Sequence, residues 1–290
     1  MKAALSKDLS KELSTSRLGV LQALISDTFQ EARARWLFWG LFGLSTLLIV
    51  IFLFVLKIDL VQGAISIMGI EGTVSRLDVR NFVNKSYAFV SVFLYLWGTL
   101  LAIFASSGLI PSVLEAGRIS LLLSKPITRP MLLLGRYAGN ILVVAANHLY
   151  LICSIWIIIG LKTGIWEKRF LLAFPDSLFI FAVLLTVVVL IGVTSESAAL
   201  AVMIPIALML ISAILAQRQF VIRALSSEWS RQLWMALYWV VPKVYDLANA
   251  MRQMIVFDRE ADWWTPVWTS AIFGVVVLST AVRIFQKRDF

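Results

Sequence analysis

Few residues in this chain could do chemistry, and their spacing removes most of what they could do. One cysteine, Cys153, and one histidine, His148, stand among 290 residues. They cannot form an intrachain disulfide or supply a protein-only metal site. His148 follows Asn147 within an otherwise uncharged apolar run. It reads as a neutral imidazole hydrogen-bonded between helices, with a proton role as the sharper alternative. Asp176, after Pro175, reads as a helix N-cap. No GxxxxGK[ST] phosphate loop, HExxH pair, Cys-x-x-Cys pair or GxSxG elbow occurs, so phosphate-loop ATP binding, metal-assisted hydrolysis and elbow-type nucleophilic catalysis have no visible basis. The remaining concentration of chemistry is PSVLEAGRISLLLSKPITRPMLLLGR, residues 111–136. Here Glu115, Arg118, Lys125 and Arg129 are interleaved with leucines, and Pro126 and Pro130 interrupt the helical pattern.

The elements that position these residues follow from composition. The chain is 60% hydrophobic and 15% charged, with a mean hydropathy of +0.88, against about 45–50% and about 25% in soluble domains. That excludes a soluble enzyme, a disordered chain and a disulfide-stapled secreted domain. The net charge of +9 is assigned to basic residues that border membrane spans and meet anionic head groups, and nucleic acid is not expected as a partner. A helix needs about 20 apolar residues to cross a hydrocarbon core about 30 Å thick. Runs at about 36–56, 87–110, 137–161 and 263–282 meet this requirement. Residues 177–216 form one apolar run with a single charge, Glu196. As a straight helix it would reach about 60 Å, so the chain must reverse at Thr194-Ser195-Glu196-Ser197, giving spans at about 177–193 and 197–216. The expectation is a single all-α polytopic membrane domain, 1–290, with six transmembrane helices.

Lys and Arg divide evenly between the two sides. The terminal clusters Arg33/Arg35 and Arg283/Lys287/Arg288 favour both termini in the cytoplasm of a multi-pass inner-membrane protein. Residues 1–35 carry charges throughout and have no signal-peptide core. Ser14-Thr15-Ser16 offers N-caps, and Leu18, Leu21, Ile25, Phe29 and Ala32 recur at helical spacing, which predicts an interfacial amphipathic helix entering the first span. Residues 57–86 read as a polar loop. Residues 111–136 predict a short amphipathic helix below the membrane followed by a proline turn. Residues 217–262, with Trp229, Trp234, Tyr238, Trp239 and Tyr245, predict a re-entrant or interfacial helix ended by Pro242 and facing lipid. Gly135-x-x-x-Gly139 and Ala102-x-x-x-Ser106 would permit close helix approach, and Pro205 predicts a kink.

The segment LEAGRISLLLSKPITRPMLLLGRYAGN resembles the loop between spans two and three of ABC-2-type permeases, particularly the nitrous-oxide-reductase-maturation and gliding-motility branch. The matching positions are Glu115, Gly117, Leu121 to Leu123, Ser124-Lys125-Pro126-Ile127, Thr128-Arg129 and Leu134-Gly135-Arg136. Phe29-x-Glu31-Ala32 with Arg33/Arg35, and Phe285-x-x-Arg288-Asp289, are similar to that family's termini. The resemblance implies a coupling helix that docks on a separate ATPase subunit through Glu115, Gly117, Arg118, Lys125, Pro126 and Arg129. It also implies no cofactor in this chain, with ATP and Mg²⁺ held by the partner, and a second permease copy or paralogue.

The expected function is therefore the permease subunit of an ATP-binding-cassette exporter, itself without enzymatic activity. Two alternatives stand beside it. One is a membrane anchor that positions another factor through its aromatic outer segment. The other is an ion-coupled secondary transporter built on His148, which the scarcity of charge inside the spans disfavours.

Overall fold

The computed structural model describes residues 19, 24–31, 33–34, 36–59, 64–67, 70–73, 76–108, 111, 128–224, 227–257 and 261–288. The predicted caps at Ser14-Thr15-Ser16 and the loop positions Glu115, Gly117, Arg118, Lys125 and Pro126 lie outside the described residues. The helices are α1 (24–31), α2 (Trp36–Val55), α3 (Arg76–Phe93), α4 (Thr99–Ser107), α5 (Arg129–Thr163), α6 (Ala173–Ser195), α7 (Ala198–Ala216), α8 (Arg218–Ala224), α9 (Glu228–Val240), α10 (Val244–Phe257) and α11 (Trp264–Lys287). A π-helical turn, Leu94–Gly98, joins α3 to α4, and a 3₁₀ turn, Lys168–Leu172, precedes α6.

Five described helical stretches are long and apolar enough to cross a membrane: Val79–Ser107, Arg129–Thr163, Lys168–Ser195, Ala198–Ala216 and Trp264–Lys287. The protein is thus predominantly helical and has the character of a multi-pass membrane protein. A sixth apolar stretch, Phe38–Phe54 within α2, is shorter and packs against α4 and α5.

Helix α6 is the axis of the bundle. Its sequence is apolar on every side, the pattern of a helix enclosed all round, and it contacts α4, α5, α7, α10 and α11. Phe181, Leu184, Val188 and Val193 along it are fully buried. Helix α11 is the opposite case: Trp264, Trp268, Ile272, Val275 and Val276 remain exposed, the surface a helix offers to lipid. A second core lies beyond the first, where Tyr87 stacks on Phe170 with ring centroids 4.4 Å apart among Leu151, Ile155, Met251 and Ile255.

The structure departs from the sequence reading at three places. Residues 57–86 are not simply a polar loop. Strands β1 (Leu56–Asp59), β2 (Ala64–Ile67) and β3 (Ile70–Thr73) form an antiparallel sheet in the order β1-β2-β3, with Leu56 opposite Ile67 and Ile67 opposite Ile70. Isoleucine at 58, 65, 67 and 70 gives these segments the β-branched character that suits strands. Helix α5 starts at Arg129, two turns before the apolar run, because Pro130 falls within its first turn where a proline is tolerated. Its 35 residues reach about 52 Å, which exceeds a hydrocarbon core of about 30 Å. Helix α6 likewise starts early, at Ala173, so Asp176 lies inside its first turn and is not its N-cap. The cap residue of the preceding turn is Glu167, whose carboxylate accepts from the Arg169 amide.

Candidate functional site

The loop that the sequence singles out returns to the bundle at Arg129, and the first turns of α5 are where its neighbours converge. Gly135 and Gly139 lie one turn apart and face α1. A Cβ added at Gly139 would sit 2.7 Å from Thr28 Cβ, and one added at Gly135 would sit 2.9 Å from Leu24 Cδ1. The close approach that the glycine pair permits is therefore made by α1, with Leu24 and Thr28 seated in the groove.

Charge locks the same contact. The Arg136 guanidinium, 1% exposed, donates from Nη1 to Glu31 Oε2 and from Nη2 to Asp27 Oδ2, both at 2.5 Å. Glu31 and Asp27 are four residues apart and so project from one face of α1. They are unequal partners, because the Glu31 side chain is 13% exposed and that of Asp27 51%. Arg136 Nε has no partner among the described residues, while the backbone carbonyl of Arg136 accepts from Asn140 Nδ2 at 3.1 Å. In the sequence Asp27 and Glu31 fall outside the stripe of Leu18, Leu21, Ile25, Phe29 and Ala32, and nothing there connects them to Arg136. The available signal was a permanently charged residue at the edge of an apolar span, which requires an anion.

Arg129, a predicted docking residue, is half-buried and bonded within the chain. Its guanidinium donates to the Gln286 carbonyl at 3.2 Å and to the Arg288 carbonyl. Arg288 in turn donates to the Val193 carbonyl and to Glu196. The two arginines thus satisfy carbonyls at the C-terminal ends of α6 and α11 that those helices leave without partners. Glu196 marks the reversal between α6 and α7 with φ 52°, and Ser197 caps α7 by accepting from the Leu200 amide at 3.4 Å. One end of the bundle is therefore tied together by α1, the root of α5, the α6–α7 turn and the end of α11.

The chain matches no family model and no curated protein.

His148 is fully buried where α4, α5 and α6 meet. Nδ1 lies 3.0 Å from Ser177 Oγ, and Nε2 has no partner among the described residues and lies near Gly98, where an added Cβ would be 3.5 Å away. Asn147 accepts from Ser45 of α2 at 3.1 Å, and its Nδ2 has no partner among the described residues. These contacts form polar links between helices.

The segment 217–262 builds a separate constellation. Helices α8, α9 and α10 and the start of α11 surround a cavity of about 670 Å³. Arg218 Cζ lies 4.5 Å from the centre of the Tyr238 ring, and the Tyr238 hydroxyl donates to Asp246 at 2.7 Å. Burial and then the bond to Asp246 push the Tyr238 phenol above its ordinary value. Lys243, 2% exposed, lies 4.6 Å from the same ring centre, with no hydrogen-bond partner at Nζ among the described residues. Burial pushes its ammonium down, against the raising effect of Asp246. Asp262 accepts from the Trp264 and Thr265 amides at 3.1 and 3.2 Å, and its bonds to Thr265, chiefly through that residue's side chain, hold its carboxyl below the ordinary value. Sequence analysis read this region as an interfacial aromatic helix. It missed that α10 returns to both cores through Val244, Leu247, Met251 and Ile255.

Proposed function

We propose that this chain is the permease subunit of an ATP-binding-cassette exporter of the ABC-2 type, with six spans, both termini in the cytoplasm and the motor on a separate ATPase subunit. In this reading α2 is the first span and pairs act together, as two copies or two related chains. The observation that carries the proposal is the clamp of α1 onto the first turns of α5 through Gly135, Gly139 and Arg136. A loop driven from outside the membrane moves a span only if its root cannot yield, and a glycine-groove contact locked by a buried arginine provides that stiffness. The absence of a phosphate-loop motif from the sequence fits a chain whose energy comes from elsewhere. Nucleotide-driven motion of the loop 111–136 would turn the span and switch access to a path between two permeases.

The test is affinity purification in mild detergent with identification of co-purifying subunits. An ATPase subunit is expected, with hydrolysis absent from the isolated chain and with Glu115→Ala and Arg129→Ala complexes that hydrolyse ATP without export. Export at the wild-type rate by both variants refutes the coupling assignment.

A further inference from the structure

Among the described residues, the charges lining the cavity of the segment 217–262 are Arg218 and Arg223 with Asp246 and Asp262, together with the amides of Asn249 and Gln253. Its volume of about 670 Å³ falls within the roughly 300–1,000 Å³ typical of small-molecule sites. Arginine forks match the oxygens of a phosphate, whereas a wholly anionic ligand would also meet the two aspartates. A ligand bearing one phosphate and one ammonium satisfies both pairs. The aspartates are already fixed in place: Asp246 uses Oδ2 to hold Tyr238, and Asp262 uses Oδ1 to hold the start of α11. A carboxylate offers about four acceptor sites, so each keeps capacity for an ammonium. Arg218 is oriented by the Tyr238 ring beneath it.

The surroundings distinguish a lipid from a soluble zwitterion. A second cavity, about 300 Å³, shares Arg218 and Arg223 with the first, and its other lining residues among those described are Ile222 and Met235. Arg218 and Arg223 thus stand where a polar cavity meets a more apolar one, as a head group meets its acyl chains. Beside them Phe220 is 76% exposed. Trp229, Leu233, Leu237 and Val240 also form an exposed stripe along α9, the pattern of a helix lying at head-group depth.

We infer that this cavity binds the zwitterionic head group of a membrane phospholipid, its phosphate on Arg218 and Arg223, its ammonium toward Asp246 and Asp262, and its acyl chain along Ile222 and Met235. The site is independent of the exporter reading and requires neither ATP nor a partner subunit.

The experiment titrates the detergent-purified full chain with dihexanoyl phosphatidylethanolamine, dihexanoyl phosphatidylglycerol, free phosphoethanolamine and inorganic phosphate, following tryptophan fluorescence and native mass spectrometry. The ethanolamine lipid is expected to saturate one site at least about tenfold more tightly than the other three ligands. Each of Arg218→Gln and Arg223→Gln should weaken it about tenfold, the scale of one charge-assisted hydrogen bond. Arg223 is exposed, so Arg223→Gln tests the site without disturbing the Tyr238 contact. An Arg283→Gln variant, at the far end of α11, should bind as the wild type does. Equal or tighter binding of the glycerol lipid overturns the zwitterion assignment. Free phosphoethanolamine or phosphate binding as tightly as the lipid overturns the lipid assignment, and unchanged binding by both arginine variants overturns the site.

Discussion

The clamp between α1 and α5 makes a quantitative prediction, because its two carboxylates differ in burial. Arg136 is almost wholly enclosed, Glu31 nearly so, and Asp27 is half in solvent. Removing one partner of a buried ion pair costs ~3–5 kcal/mol when the remaining charge is stranded. Arg136→Met takes the guanidinium from the largely enclosed Glu31 and should be the costliest of the single changes, since Asp27 turns to water more readily than Glu31. In Glu31→Gln the arginine keeps Asp27 and an amide oxygen, so the loss falls to ~1–3 kcal/mol, that of a charge-assisted bond in a covered site. Asp27→Asn removes an exposed contact and should cost ~0–1 kcal/mol. In the double variant Arg136→Met/Glu31→Gln neither half of the buried pair remains, so it should lose less than the sum of the two single variants, with a coupling energy of ~1–3 kcal/mol. The assay is SDS-induced unfolding in mixed micelles, followed by tryptophan fluorescence, for the wild type and these four variants. Additive single effects, with coupling below ~0.5 kcal/mol, would refute the reasoning. So would an Asp27→Asn loss as large as that of Glu31→Gln.

Three further outcomes follow from local geometry. Gly139→Leu must push Thr28 off α5, since the first added carbon already lies 2.7 Å from Thr28 Cβ. A docking loss of at least about 1.4 kcal/mol would raise tryptic cleavage at Arg33 and Arg35 tenfold or more. At Glu196, whose φ is 52°, valine should cost ~1–2 kcal/mol in the left-handed region. Glycine there should be within ~0.5 kcal/mol of the wild type, because conformational relief offsets the lost pair with Arg288, and thermal unfolding separates the two variants. Asp262 has a lowered pKa in the folded chain, so its cap stabilises fully above the ordinary carboxylate value and is lost as pH falls through the folded value. The melting temperatures of the wild type and Asp262→Ala should therefore differ at neutral pH and converge in acid.

What the sequence made legible was whatever a single segment settles by itself. The apolar run from Ser177 to Ala216 is too long for one crossing, and its polar midpoint contains Glu196, where the chain reverses. The glycine spacing at 135 and 139 announced a close approach, although not that α1 would make it. The misses have a common cause in contacts between distant segments. Arg136 meets Asp27 and Glu31 across more than a hundred residues, and hydrophobic periodicity carries no record of that pairing. Helix α10 lies within the segment 217–262, whose aromatic residues among many charges point to an outer interfacial segment. Its Val244, Leu247, Met251 and Ile255 nevertheless repeat at helical spacing and are buried. That stripe was visible but was outweighed by the composition around it.

The same distinction explains why the two charged constellations differ in character. At the root of α5, Arg129 and Arg288 are directed to carbonyls of helix ends and Arg136 to the carboxylates of α1, so charge there is spent on holding elements to one another. In the cavity by Tyr238, Asp246, Asp262 and Arg218 are held in position yet still line open space. Asp246 holds a ring, Asp262 holds a helix start, and Arg218 rests on the ring that Asp246 holds. A constellation whose members are positioned by their neighbours but not exhausted by them is suited to a ligand, whereas one whose donors are directed onto its own backbone and side chains is suited to transmit force. The first property supports a lipid site beside α9, and the second supports a rigid root for the loop 111–136. Loss of lipid binding in Arg223→Gln without loss of stability, alongside loss of stability in Arg136→Met without loss of lipid binding, is the pairing that separates these two uses of charge.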